Sequence, residues 1–150
     1  MRVVIQRVTQ AEVQINSKSH ASISDGMVVF LGIEEQDGIQ DVDWLVHKLA
    51  SLRIFSDNQG KMNLSIQEVD GEFLIISQFT LHASTKKGNR PSFITAAKPE
   101  IAIPLYEQFL KKLADISGLK TVSGIFGADM QVHLINDGPV TILMDSKQKE

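Results

Sequence analysis

Cysteine is absent from all 150 residues, which removes disulfides, thiolate zinc centres and a cysteine nucleophile together. No pair of the four histidines has metal-ligand spacing, so neither a metal nor another cofactor is expected. No apolar run is long enough to cross a bilayer, so no membrane partner is expected. Arg2 is followed by alternating polar and apolar residues and not by a continuous apolar leader, which makes the cytoplasm the expected compartment. Positive charge is also in short supply. A net charge of −3 and a pI near 5.8 argue against a protein that coats nucleic acid, DNA included, because such binding rests on many Lys and Arg contacts to phosphate. Any RNA partner has to be met locally. What is present is a chain 43% hydrophobic and 22% charged, which favours a globular fold over disorder, and its length suits one domain over 1–150.

The pattern along the chain begins with a sheet. Val3, Ile5 and Val8, then Ala11, Val13 and Ile15, alternate with polar residues as half-buried antiparallel strands do. The continuous apolar run 27–33 reads as a central strand covered on both faces. Val42, Leu45, Val46, Leu49 and Leu52 recur at three and four, which predicts an amphipathic helix over 41–52 capped by Asp37 or Asp41, with Trp44 at its margin. A turn over 56–60 leads into a strand over 62–69, and Asp70-Gly71 connects it to a strand over 72–82 as a hairpin. A second helix is expected over 99–117, with Ile101, Leu105, Phe109, Leu113 and Ile116 on one face, an irregular start near Pro104, and Gly118 as its stop. Three short strands follow over 121–126, 130–135 and 140–145, and the polar tail 146–150 is expected to fray. The fold class is therefore α+β, with two helices packed on an antiparallel, barrel-like sheet.

Two segments carry hydroxyls at the ends of apolar strands where Val or Leu would satisfy packing: 76–81, with Ser77, Gln78, Phe79 and Thr80, and 136–141, with Gly138 and Pro139. On a regular strand Ser77, Phe79 and Leu81 share one face while Gln78 and Thr80 share the other. Either the strand bulges, as strands beside active sites do, or the two hydroxyls contribute differently, one through its side chain and another through backbone groups. A threonine in a strand is also ordinary packing. An ester hydrolase needs a nucleophile, a proton acceptor and donors for the developing oxyanion. Among the histidines, His20 lies in a polar early strand, His47 on the first helix and His133 on a late strand. His82, two residues from Thr80, is the best-placed base, but no third orienting group accompanies it. The basic stretch Lys86-Lys87-Gly88-Asn89-Arg90 follows directly and suits phosphates beside a reacting end, or is simply a solvated loop. Gly138-Pro139 reads as a hairpin turn in which a cis bond is feasible. Phe126 to Met130, with Gly127-Ala128 permitting close approach, walls a pocket or forms a plain turn. Arg53 and 60–63 are structural or face RNA.

These segments, together with Met1-Arg2-Val3-Val4-Ile5-Gln6-Arg7-Val8, Leu52-Arg53-Ile54-Phe55, Gly60-Lys61-Met62-Asn63, Lys87-Gly88-Asn89-Arg90-Pro91-Ser92-Phe93 and Phe126-Gly127-Ala128-Asp129-Met130, occur in order along essentially the whole chain. In them the sequence resembles the D-aminoacyl-tRNA deacylase family, ester hydrolases that remove D-amino acids and mischarged glycine from tRNA. His82-Ala83-Ser84 departs from that family's aromatic or apolar residue, Ala and Asp. The resemblance implies the same α+β fold. It also implies a homodimer without a metal, in which Ser77, Gln78, Phe79 and Thr80 hold the terminal adenosine and the ester of an aminoacyl-tRNA, with Phe126 and Met130 beside them. A cis Gly138-Pro139 from the other subunit then excludes L-amino acids while admitting glycine. Two other functions remain: a tRNA-binding module without catalysis, and a small-molecule esterase using Thr80 with His82.

Overall fold

The computed structural model describes residues 1–149; the tail residue Glu150 lies outside them. Elements follow in the order β1 (Arg2–Ile15), β2 (Lys18–Ile23), β3 (Gly26–Gly32), α1 (Ile39–Ser51), β4 (Phe55–Ser56), β5 (Met62–Leu64), β6 (Glu72–Ser77), a 3-10 turn (Phe79–His82), α2 (Pro99–Ser117), β7 (Thr121–Ser123) and β8 (Gln131–Asp145). The main sheet runs β2-β1-β3-β6-β7, and β8 lies along β1. Because β2 returns against β6 and β7, the sheet curls towards a barrel. No helix among the described residues is long and apolar enough to cross a membrane.

The expected all-antiparallel sheet is corrected to a mixed one: β3 pairs with β6, and β6 with β7, in parallel. Each parallel pair is joined by a crossover containing a helix, α1 for the first and α2 for the second, as parallel neighbours require. The proposed hairpin over 62–82 does not form. Its first half stops at Leu64 and pairs with β4, because Ser65 and Glu68 close a local turn in which the Glu68 carboxylate accepts from both the Ser65 amide and its hydroxyl at 2.7 Å. That Ser-x-x-Glu spacing is a capping signal that the alternation of Met62, Leu64 and Ile66 hid.

Helix α1 matches its periodicity and buries Val42, Leu45, Val46 and Leu49. Its N-cap is Gly38, not either aspartate, and Asp41 reaches back to accept from the Gly38 amide at 2.9 Å. Helix α2 spans 99–117 as expected and is continuous through Pro104, whose exposed ring sits near the N-terminus and removes a single bond. Its buried stripe is Ala102, Tyr106, Phe109 and Leu113, rotated from the expected Ile101 and Leu105 because the Tyr106 hydroxyl reaches in to donate to the Ile75 carbonyl at 3.1 Å. One apolar cluster lies between the helices and the face of the sheet bearing Ile5, Val29, Phe73 and Ile75. A second fills the concave face with Val8, Val13, Val28, Leu74 and Ile76.

The C-terminus corrects two further expectations. Strands expected over 130–135 and 140–145 are one strand, β8, so Asp137-Gly138-Pro139 is a bulge and not a hairpin turn. Gln6 faces Thr141 and Val8 faces Asn136 across the ladder, leaving 137–140 opposite Arg7 alone. Asn136 clamps the bulge: its Oδ1 accepts from the Val140 amide at 2.8 Å and its Nδ2 donates to Thr141 Oγ1 at 3.1 Å. The tail is docked, not frayed, through Lys147. Ser146 is buried and donates to Asp41 at 2.6 Å, and Lys147 Nζ donates to Asp41 at 2.8 Å.

Burial by itself would raise the Asp41 carboxyl, but hydrogen bonds from Lys147, Ser146 and Gly38 outweigh it and hold the group at about 2. A depressed folded-state value adds stability above the unfolded carboxylate range near 4, and that stability is lost as pH falls from there through 2. Asp41→Asn is therefore expected to lower the thermal midpoint near neutrality, with the gap to wild type closing between pH 4 and 2. A gap of constant size over that range would show that Asp41 acts only through packing.

Candidate active site

Parallel pairing ends at Leu31 opposite Ser77, so the carboxyl ends of β3 and β6 lie side by side. Ligand sites of parallel sheets gather at such ends. The Gln78 amide donates to the Leu31 carbonyl at 2.8 Å, after which the backbone leaves the strand and winds into the 3-10 turn Phe79–His82. This settles the alternation problem: there is neither a longer strand over 72–82 nor a bulge in it, but a turn. The turn is closed by bonds from Leu81 N to Gln78 O at 3.2 Å and from Ala83 N to Thr80 O at 3.0 Å. At the start of such a turn the first amides, here those of Phe79 and Thr80, have no acceptor within it.

The turn forms one wall of a cleft of about 300 Å³. Ser77, Gln78 and Phe79 line it on one side and Phe126 to Met130 on the other. Five expected site residues, Ser77, Gln78, Phe79, Phe126 and Met130, are thus brought together. Thr80, the second residue of the turn, is exposed and does not line the cleft, and its Oγ1 accepts a hydrogen bond from Gln78 Nε2. With that oxygen engaged as an acceptor, the Thr80 hydroxyl proton is free to donate outward. Leu31 of β3 and Ile33 just after it, Ile76 of β6, Val132 of β8, and Ala97 and Ala102 on either side of the first residues of α2 complete the lining. Their sequence signal is only that of core residues, so the reading above missed them.

Supports lie behind both walls. Tyr106 packs edge-on against Phe126 with centroids 5.7 Å apart, and burial pushes its phenol up to about 12, partly offset by a hydrogen bond with Ser123. It therefore remains a protonated donor to Ile75 throughout the working pH range. Met130 lies across Gly124, where a Cβ would stand 2.3 Å from its sulfur. Under the opposite wall sits Gly32. A Cβ there would be 2.9 Å from Leu81 Cβ and 3.0 Å from the Gln78 carbonyl, so the turn rests directly on a position without a side chain. Arg2 braces the same turn by donating to the Leu81 carbonyl at 3.1 Å.

His82 is not placed as a base for Thr80. It is buried, its Nδ1 lies 3.9 Å from Glu34 Oε2, and its Nε2 has no partner among the described residues. No hydrogen bond links it to Thr80 among those residues, so the side-chain pair required by a nucleotide-independent esterase is not assembled. Among the described residues no group of three His, Asp or Glu is arranged to hold a metal. Arg53 is engaged by the Asn63 carbonyl and amide oxygens, which makes it a brace for the β4-β5 hairpin.

Gly138 and Pro139 do not line this cleft. They are exposed at the tip of the β8 bulge, joined by a cis peptide bond. The bulge is carried by Arg7, whose Nε donates to the Asp137 carbonyl at 3.1 Å and whose Nη1 donates to the Ile54 carbonyl at 2.6 Å.

With this geometry in place, comparison with known proteins is direct. A family model described as D-Tyr-tRNA(Tyr) deacylase matches residues 4–145. The chain is 60% identical over 150 residues to a D-aminoacyl-tRNA deacylase of Bacteroides thetaiotaomicron and 63% identical to one of Cytophaga hutchinsonii, with 100% of each chain covered. Among solved structures, one named c-Myc DNA Unwinding Element Binding Protein superposes with a TM-score of 0.91 at 40% identity, over 97% of this chain and 98% of that one. A probable eukaryotic D-amino acid tRNA deacylase shares the fold, with a TM-score of 0.82 at 19% identity over 95% and 97% of the two chains.

Proposed function

The chain belongs to the D-Tyr-tRNA(Tyr) deacylase family, and from that membership we propose that it hydrolyses the ester of D-aminoacyl-tRNA in the cytoplasm, releasing tRNA and a D-amino acid. It also clears mischarged glycyl-tRNA(Ala) and spares L-aminoacyl-tRNA. The observation that carries this reading is the cleft at the ends of β3 and β6, whose 77–79 wall, with the Thr80 hydroxyl beside it, offers hydrogen-bond donors but no imidazole or carboxylate. An aminoacyl-tRNA compensates for that lack, because the vicinal ribose 2′-OH can orient water and pass on its proton. Water oxygen attacks the ester carbonyl, the bond to the ribose 3′ oxygen breaks, and that oxygen takes up a proton. The amides of Phe79 and Thr80 face the developing oxyanion. Holding water and ester in place accounts for much of the rate, since positioning can be worth roughly 7–11 kcal/mol.

Chirality is read by Gly138 and Pro139 of a second copy. Their place outside their own cleft supports this assignment, as does the outer edge of β8, which among the described residues pairs only with β1 and exposes Ile135 and Leu143. Such an edge is open to another chain. A rigid backbone projection rejects one enantiomer by clash and has no reason to reject glycine.

The test is deacylation of matched D-tyrosyl-, L-tyrosyl- and glycyl-tRNA by purified protein with a chelator present. Loss of the D-ester and of glycine with the L-ester spared is expected. Absence of any hydrolysis would favour an RNA-binding module, and comparable cleavage of activated esters lacking a nucleotide would favour the small-molecule esterase. Within this reading Thr80 orients and does not attack the ester, because among the described residues no base is hydrogen-bonded to its hydroxyl. Thr80→Ala is expected to lose about fivefold in kcat, the worth of one hydrogen bond of about 1 kcal/mol. Rapid quenching should yield no acyl-enzyme. A trapped acyl-Thr80 in wild type would overturn the assignment.

A further inference from the structure

The segment 83–98 holds Lys86, Lys87, Arg90 and Lys98 and no aspartate or glutamate, in a chain of net charge −3. None of these four cations is paired with a carboxylate among the described residues. The loop that carries the first three is pinned at its base. Ser84 and Ser92 exchange both amide bonds at 2.8 and 2.9 Å, Thr95 Oγ1 donates to the His82 carbonyl at 3.2 Å, and the Ala97 amide donates to the Ile33 carbonyl at 2.9 Å. Residues 85–91 thus project as a tongue beside the 3-10 turn. Where the tongue returns, Phe93 packs edge-on against Phe79 at 5.1 Å. Phe79 itself is 57% exposed and Ile94 is 89% exposed, so an apolar platform adjoins the cations at the lip of the cleft.

We propose that this surface holds the single-stranded 3′ end of an RNA just upstream of the nucleotide seated in the cleft. Phosphates lie along Lys86, Lys87 and Arg90, and bases rest against Phe79 and Ile94. The inference rests on the aminoacyl-tRNA reading above and extends it. A cleft of about 300 Å³ is at the small end of ligand sites and cannot contain a strand, so the chain of nucleotides must leave across a rim. Phe79, which lines the cleft and is also exposed, marks that rim. Paired requirements for positive charge and a flat apolar face are those of single-stranded nucleic acid, which presents phosphates on one side and π-faces on the other. The local charge opposes that of the whole chain, as expected for a surface selected for a polyanion.

The variant Lys86→Gln/Lys87→Gln/Arg90→Gln alters only exposed side chains. It should be compared with wild type in three assays: deacylation of D-tyrosyl-tRNA, deacylation of D-tyrosyl-adenosine, and binding of an uncharged RNA oligonucleotide ending in CCA at several salt concentrations. Loss of three phosphate contacts should make the slope of log affinity against log salt shallower by about two and weaken RNA binding about 10- to 100-fold near 0.1 M salt. KM for D-tyrosyl-tRNA should rise accordingly, while cleavage of D-tyrosyl-adenosine stays within about twofold. Unchanged RNA affinity and slope would overturn the proposal, as would equal loss on both esters, which would make the tongue a scaffold for the turn. If wild type cleaves neither ester the function reading itself has failed, and the salt slope still reports separately on the tongue.

Discussion

Gly138→Ala is expected to collapse discrimination between enantiomers, lowering the ratio of D- to L-tyrosyl-tRNA cleavage on the order of 10- to 200-fold, the range that steric exclusion in a pocket supplies. Gly138 has φ +132°, a conformation that side chains rarely adopt. A Cβ there would stand 2.8 Å from Val140 Cγ2, 3.0 Å from the Val140 nitrogen and 3.2 Å from the Arg7 guanidinium. The tip of the bulge must therefore move. Because it lies outside its own chain's cleft and is exposed, the walls that handle the ester stay assembled, and cleavage of the D-ester should change much less than cleavage of the L-ester. Mixing this variant with one whose cleft is disabled tests whether the filter acts across subunits. In mixed dimers the working cleft would face an intact Gly138-Pro139, and selectivity should return at those sites. An unchanged ratio in folded protein would remove the motif from its role, and no recovery on mixing would place the filter within one chain.

Gly32→Ala should disable that cleft while leaving the fold in place. An added Cβ at 2.9 Å from Leu81 Cβ, 3.0 Å from the Gln78 carbonyl and 3.1 Å from His82 Cδ2 meets the underside of the 3-10 turn. Two of these three neighbours are held close to the backbone, so relief comes from lifting the turn and with it the Phe79 and Thr80 amides. Misplacement approaching 1 Å costs about 10²-fold in rate, whereas overpacking at one position costs about 1–3 kcal/mol of stability. For a chain of this size that corresponds to a thermal midpoint lower by roughly 2–12 °C. The expected result is kcat/KM for D-tyrosyl-tRNA reduced about 100-fold in a protein that still unfolds cooperatively, with RNA affinity and its salt slope near wild type. Retention of full rate would mean that the turn tolerates displacement and that its amides do not stabilise the reacting carbonyl.

Much of this molecule is legible in local patterns. The stripe on α1, the extent of α2 from Pro99 to Gly118, the buried strand β3 and the turn residues around 56–60 all follow from periodicity and capping, because these depend on neighbours within a few residues. The residues of the cleft's two walls, 77–79 and 126–130, also stood out, since hydroxyl and glycine residues at strand ends serve no packing need. Direction and partnership did not. Alternating or continuous apolar residues report which faces of a strand are covered and carry no information on whether its neighbour runs parallel, so β6 was read as the second arm of a hairpin with 62–69 and not as the parallel neighbour of β3. Asp-Gly-Pro reads as a chain reversal, yet the preceding and following strands both find β1, and the ladder skips past the proline as a bulge.

For the site the division is the same. Residue chemistry along the chain was enough to single out hydroxyls, a basic loop and a Gly-Pro pair, to exclude thiols, and, through the ordered motifs, to identify the family the chain belongs to. That His82 turns towards Glu34 instead of Thr80, that Gly32 carries the turn, and that Gly138-Pro139 stands apart from its own cleft are consequences of contacts between segments far apart in the chain. Side chains choose among such contacts only once strands β1, β3, β6 and β8 have come together, because packing and long-range hydrogen bonds, not local preference, then set where each group points.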